Sequence, residues 1–371
     1  MEKKITRDYT ISFPAIRGVQ AGREYYVTMC PLKLLPTMFP DNANDIPPEL
    51  RAQREMNKGR IRPLTHYMME NQDNYVFSAI AASINGEVEF EAYGIDTIGR
   101  KIGSLSVPME AKFIINDGQH RLAAVKEALK EAPSLGNETI SIVLYVDCGL
   151  NHSQQMFADL NRYAVRPTKS LGILYDHRDP LAKLANYLAN NVSIFKGMTE
   201  KAKSSISNRS RKLFTLSSIY QASKRLLQKK DGEEISEDEK QLALKFWEAI
   251  AANMPDWLAA VNKKVSTHEL RSDYIHAHGI ALQALAIVGN SLIKQQPTKW
   301  ENSLAKIKKI DWLRENASLW EGRALVGGSL NKSQKNVTLT ANYIKQVLGL
   351  TLTPNEETVE ANYVKGKNSN E

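Results

Sequence analysis

Over the first 150 residues, short runs rich in β-branched, aromatic and small apolar residues predict strands. These are Tyr25–Met29, Val76–Ile84, Val88–Tyr93, Leu105–Val107, Lys112–Asn116 and Ile140–Val146. Glu49–Asn57, Arg62–Asn71 and Gln119–Glu131 carry helical spacing instead. The second has Pro63 near its start, and the third places Leu122, Val125, Ala128 and Leu129 on one face. The Asn85-Gly86 dipeptide between two of the apolar runs predicts a hairpin. The order strand, turn, helix, strand over 112–146 predicts a βαβ unit or a split variant of it.

Beyond about residue 150 the strand pattern stops. His152–Tyr163, Pro180–Asn190, Leu213–Lys229, Glu237–Ala252, Asp273–Ile293, Thr298–Ile310 and Val337–Leu348 all read as helices, and the polar stretch after Pro354 reads as a disordered tail. The expected organisation is an α/β domain over residues 1–170, an all-α domain over 171–350 and a tail over 351–371. The boundary falls between Arg166-Pro167 and Pro180.

Composition agrees with a folded chain. Of 371 residues, 42% are hydrophobic and 24% charged, which excludes global disorder. No apolar stretch approaches the ~20 residues of a membrane span. The polar start Met1-Glu2-Lys3-Lys4 has no secretory core. Cys30 and Cys148 are the only cysteines, too few for a disulfide framework or a Cys-x-x-Cys knuckle. The expected location is cytoplasmic, with no membrane partner, and Cys148 is read as core packing. The five tryptophans, all in the helical half, are read as packing too. His276 and His278 stand two apart, a spacing that points them to different helix faces. No metal is expected there, and a core or partner-contact role is.

The formal net charge is +8, and its distribution is uneven. Residues 196–230 hold ten Lys and Arg against the single acid Glu200. The sign then reverses over 231–241, where six acids face Lys240. Asp231-Gly232 therefore reads as an exposed turn between helices. The basic window is either a solvated loop or a surface for nucleic-acid phosphates, with Lys201, Lys203, Arg209, Arg211, Lys212, Lys224 and Arg225 as candidate DNA contacts. Leu213–Lys229 is the candidate recognition helix, or else a core helix with basic solvent-facing residues.

One segment concentrates chemistry. Phe113-Ile114-Ile115 runs into Asn116-Asp117-Gly118-Gln119-His120-Arg121, a strand ending in a glycine turn with a helix beginning at once. Gly118 permits the tight turn, and Asp117 or Asn116 is placed to cap the helix. The free amides of the first helical turn, with His120 and Arg121, suit phosphate oxygens. The alternative is that Arg121 simply pairs with Asp117.

Asp117-Gly118-Gln119-His120-Arg121 is the signature of the DGQHR-domain family, and the chain resembles its DndB branch, linked to bacterial DNA phosphorothioate (sulfur) modification. Phe157–Asn161 followed by Arg166–Leu171 is similar to that family's second block, and Gly279–Leu285 to its C-terminal helix. The first half also resembles the ParB/sulfiredoxin-like fold. Gln119 stands where sulfiredoxins carry a reactive cysteine, so their chemistry is not expected, and the Arg-rich CTP box of ParB proteins is not matched in full.

The resemblance implies a repressor of the modification gene cluster that binds double-stranded promoter DNA. It also implies ATP, with or without Mg, bound at the turn and slowly hydrolysed. The implied nucleotide contacts are Asp117, Gly118, Gln119, His120, Arg121 and Asn161, with Asp117, His120 and Arg121 as the catalytic set. No Walker Gly-Lys-Ser/Thr motif is present, so P-loop chemistry is not expected. The alternative role is an accessory ATPase or structural partner of other DNA sulfur modification proteins. A homodimer would suit a palindromic operator.

Overall fold

The computed structural model describes residues 10–40, 58–146, 155–156, 159–160 and 167–368. The expected helix over 49–57 and most of that over 152–163 lie outside these residues, as do Cys148 and Asn161. The chain divides into two compact units, Met1–Val165 and Arg166–Glu371. The first is built on a mixed sheet and the second is helical.

In the first unit β1 (Thr10–Gln20), β2 (Arg23–Pro31), β3 (Ile80–Asn85), β4 (Glu89–Ala92), β5 (Ile102–Pro108), β6 (Lys112–Asp117) and β7 (Thr139–Val146) form one sheet, ordered β4-β5-β1-β2-β7-β3-β6. Among the described strands of this sheet β3 and β7 pair in parallel and the other neighbours antiparallel. Alternation sets the buried face. Tyr26, Thr28 and Cys30 of β2 and Ile140, Ile142 and Leu144 of β7 are buried, while Met29 is exposed. Helices α1 (Ile61–Glu70) and α2 (Gln119–Glu131) supply Met68, Leu122, Val125 and Ala128 to the same core.

Three sequence expectations fail here. First, β1 is missing from the predicted strands, because Pro14 interrupts its run and proline argues against a central strand. The structure accommodates it: β1 pairs with β2 only from Ala15 onward, so the proline removes no rung on that side. The β1–β2 connection is a two-residue turn, Ala21-Gly22, with both residues left-handed (φ 50° and 75°).

Second, Asn85-Gly86 does not close a hairpin. β3 is a nearly fully buried strand held between β7 and β6, whereas the exposed β4 pairs with β5 at the far edge. Burial on both faces, rather than the turn dipeptide, decides β3's neighbours. Third, β6 and β7 are not a parallel pair. β3 lies between them, antiparallel to β6 and parallel to β7.

The second unit contains α3 (Lys169–Tyr175), α4 (Pro180–Asn191), α5 (Leu216–Leu227), α6 (Glu237–Ala252), α7 (Pro255–Val261), α8 (Thr267–Asp273), α9 (Gly279–Gln295), α10 (Gln334–Leu348) and α11 (Pro354–Asn368). Two short parallel strands, β8 (Thr199–Glu200) and β9 (Phe214–Thr215), bracket the basic loop. Helix α9 is apolar nearly all round and forms the unit's centre, with Ile280, Leu282, Leu285, Val288 and Leu292 buried. Gly289 lets α6 approach closely, since a Cβ there would stand 2.4 Å from the Phe246 ring. All five tryptophans are buried in this core, as their spacing suggested.

The helix expected over Asp273–Ile293 starts later than predicted, at Gly279. The chain leaves α8 at Asp273, and Tyr274 bridges to Leu313 before α9 begins. Residues 354–368, expected to be disordered, form α11. Its Glu360 pairs with the nearly buried Arg323, its Glu356 with the buried Lys345, and Tyr363 donates to the Glu321 carbonyl at 2.9 Å. The tail's acids read as solvating in sequence because their partners stand on distant segments. Among the described residues no helix is long and apolar enough to cross a membrane.

Candidate functional site

The strand-to-helix turn forms as its residues dictate. Gly118 is the N-cap of α2 and lies in the left-handed region, at φ 101°. A Cβ there would press to 3.0 Å from Arg121 Nη2 and 3.1 Å from the Ile80 side chain, so glycine is required by both conformation and space. Neither Asp117 nor Asn116 caps the helix, contrary to expectation. With glycine at the N-cap, both side chains fall one or two residues too early. Asn116 is buried and donates to Ser83 Oγ at 2.7 Å, and Asp117 pairs with Arg121 at 2.9 Å.

Arg121 is thus partly committed. Its Nη2 donates to Asp117 and to the Ala79 carbonyl at 3.0 Å, and its Nη1 to Ser78 Oγ. The guanidinium ties the turn to the chain entering β3. The simple ion pair weighed from sequence is therefore present, and it occupies two of the three residues assigned catalytic roles.

Three polar atoms of the turn are buried with no hydrogen-bond partner among the described residues: Gln119 Nε2, His120 Nε2 and Arg121 Nε. Buried unpaired polar atoms are costly, about 1–3 kcal/mol each, and rare in folded chains. Here they occur on three consecutive residues, beside the first-turn amides of α2, which the N-cap residue does not cap with a side chain. Burial holds the His120 imidazole below its usual pKa, and the charge of Arg60 acts in the same direction. A cavity of about 420 Å³ in this unit opens beside Lys112–Ile114, toward the start of β6 rather than at this turn.

The basic window of the second unit is an ordered segment. Thr168 Oγ1 donates to the Ala202 carbonyl and Thr267 Oγ1 to the Ser210 carbonyl. The nearly buried Arg271 donates to the carbonyls of Ser207, Asn208, Ser210 and Lys212. A loop pinned at so many backbone positions presents its side chains from a fixed frame.

Of the seven candidate DNA contacts, four have partners in the protein. Lys201 donates to Asn190, and Lys212 to the Gly197 carbonyl. Lys224 pairs with Asp231, and Arg225 donates to Gln283 and Gln334. Lys203, Arg209 and Arg211 are exposed, with no side-chain partner among the described residues. The acidic stretch that begins at Asp231 thus answers Lys224 in the later part of the window. Lys229 pairs with Glu239, whereas Lys203, Arg209 and Arg211 stand exposed on the loop before β9.

Helix α5, the candidate recognition helix, buries Leu216, Ile219, Ala222 and Leu226 against α4 and α9. It is a core helix with basic residues at its margin. His276 is also core. It accepts from Trp257 Nε1 at 3.0 Å and donates to Asp256, 3.2 Å away.

No curated protein and no solved structure matches the chain. One family model does match, over residues 13–351, and its description is DndB, DNA-sulfur modification-associated. The match spans both units and includes the Asp117–Arg121 turn and the basic loop, so the chain belongs to the DndB family.

Proposed function

We infer that this protein is a DNA-binding repressor of the DNA phosphorothioate modification genes, with ATP binding at the Asp117–Arg121 turn modulating its hold on promoter DNA. The observation that carries the nucleotide part is the run of buried nitrogens on Gln119, His120 and Arg121 that have no partner among the described residues. A ligand with several acceptor oxygens would satisfy them together with the α2 amides, so the residues fit a phosphate chain. We read the first unit as a ParB/sulfiredoxin-like fold on the strength of this strand-glycine-helix turn within a mixed sheet.

In this reading Gly118 lets the chain approach the ligand, and Gln119 and His120 donate to it. Arg121 offers its remaining Nε while holding Ser78, Ala79 and Asp117 in place. Bound ATP would supply negative charge and, on hydrolysis, ADP as the leaving group. Hydrolysis by Asp117, His120 and Arg121 would be slow, because Asp117 must leave its ion pair before it can orient water. Lys203, Arg209 and Arg211 are the DNA contacts best supported by exposure. They would hold backbone phosphates, which position a protein without specifying sequence.

Gel-shift titration on the modification promoter tests this reading. Tight binding to promoter over scrambled duplex, altered by ATP in wild type and unaltered in His120→Ala, is expected. Sequence-indifferent binding would remove the repressor assignment and leave the alternative, an accessory component of the modification complex.

A further inference from the structure

A cavity of about 360 Å³ opens in the second unit beneath the basic loop. Its lining includes Ser205, Ser218, Arg271, His278, Arg314 and Lys332, and among the described residues no Asp or Glu contributes to it. Three basic side chains therefore share one recess with no carboxylate of the described residues to answer them, and burial lowers the Lys332 pKa. Arg271 is satisfied by backbone carbonyls of the loop, and Arg314 by those of Ser272 and Gly328 at 3.2 and 3.1 Å. Carbonyls orient a guanidinium but leave its charge uncompensated. Lys332 has no hydrogen bond or ion pair to any described residue.

The recess is kept open by a glycine. A Cβ at Gly279 would stand 2.4 Å from Ser218 Oγ and 3.4 Å from Lys332 Nζ. Its absence brings the Ser218 hydroxyl and the Lys332 ammonium together over the start of α9. The field of the recess is felt by His278. Burial is the largest cause of its low pKa, and the charges of Lys332, Arg314 and Arg271 lower it further, to about 4. The volume lies in the range of small-ligand clefts, roughly 300–1,000 Å³. It suits a phosphate with its sugar, not a base-paired duplex.

We propose that this recess is a phosphate-ester site, separate from the Asp117–Arg121 turn. Ser205 and Ser218 donate hydroxyls, Arg271 and Arg314 form a fixed cationic wall, and Lys332 is the mobile cation that closes on the anion. The ester reaches it either as a free nucleotide-like molecule or as one backbone phosphate of DNA lying along Lys203, Arg209 and Arg211.

The test is calorimetric titration of inorganic pyrophosphate into the full chain, wild type against Lys332→Gln, Ser205→Asp and His120→Ala. Both recess residues are exposed, so unchanged melting of the first two variants without anion controls for folding. Pyrophosphate affinity is expected to fall at least about tenfold in Lys332→Gln and Ser205→Asp, roughly the loss of one charge-assisted contact. It is expected to persist at this site in His120→Ala, which separates it from the nucleotide turn. Wild type that takes up no pyrophosphate, or variants that bind it equally well, would overturn the site while leaving the repressor reading standing.

A second arm with random-sequence duplex identifies the source. Duplex affinity lost alongside pyrophosphate in Lys332→Gln assigns the site to the DNA backbone. Duplex affinity retained while pyrophosphate is lost assigns it to a free phosphate ester.

Discussion

Single residues in this chain carry unusual conformational and electrostatic demands, and these make the sharpest predictions. Gly118 is left-handed and enclosed, so Gly118→Ala should cost about 1–3 kcal/mol in chemical denaturation and disturb the Arg121 clamp. An unchanged midpoint would mean the turn relaxes freely.

His278 gives a pH dependence. Its folded pKa of about 4 lies below the ordinary 6.5, so the unfolded chain binds the proton more tightly. Its stabilising contribution is therefore complete above pH ~6.5 and is lost as pH falls from there toward 4. Replacing His278 with Gln should flatten the fall in melting temperature across that window. A wild-type curve that stays level between pH 6.5 and 4 would contradict this.

At this scale the sequence was informative about chemistry and less so about pairing. The glycine turn and its His-Arg were legible because their chemistry is local. The ties from Arg121 to Ser78 and Ala79 were not, because they cross about 40 residues of chain.

At the scale of elements, legibility followed how local the determining forces were. Helix α2 and strand β7 appear where their periodicity put them, since each has one clear buried face. Strand β1 was hidden by Pro14. The false hairpin at Asn85-Gly86 arose because a turn dipeptide says nothing of which strands a fully buried β3 will prefer. Helix α11 was unreadable for the same reason. Its segment lacks an amphipathic stripe and is held by Arg323 and Lys345 from elsewhere in the unit.

Breaking the Arg323–Glu360 pair with Glu360→Ala leaves a nearly buried guanidinium with one carbonyl partner. Stability should fall by about 3–5 kcal/mol, read by denaturant unfolding. A loss within about 0.5 kcal/mol, the range of an ordinary surface substitution, would show α11 to be dispensable. The basic window divides in the same way. Lys224→Ala on α5 should leave DNA affinity nearly unchanged, because that lysine already pairs with Asp231. Arg209→Ala with Arg211→Ala should reduce the slope of log affinity against log salt by about two.

For the whole molecule, a net charge of +8 was a weak hint of an anionic partner. Family membership over residues 13–351 gives that hint a setting in DNA sulfur modification. The structure sharpens it into two places: unsatisfied nitrogens at the Asp117–Arg121 turn and unanswered cations on and beneath the loop before β9. The central claim is that the first modulates the second, and linkage requires any such coupling to be reciprocal.

The most direct measurement titrates ATP into the protein with and without modification-promoter duplex, and the duplex with and without ATP. The account predicts that the two affinities shift by the same factor, and that His120→Ala abolishes the shift while duplex binding remains. Affinities that ignore one another, or ATP binding that survives His120→Ala unchanged, would contradict it.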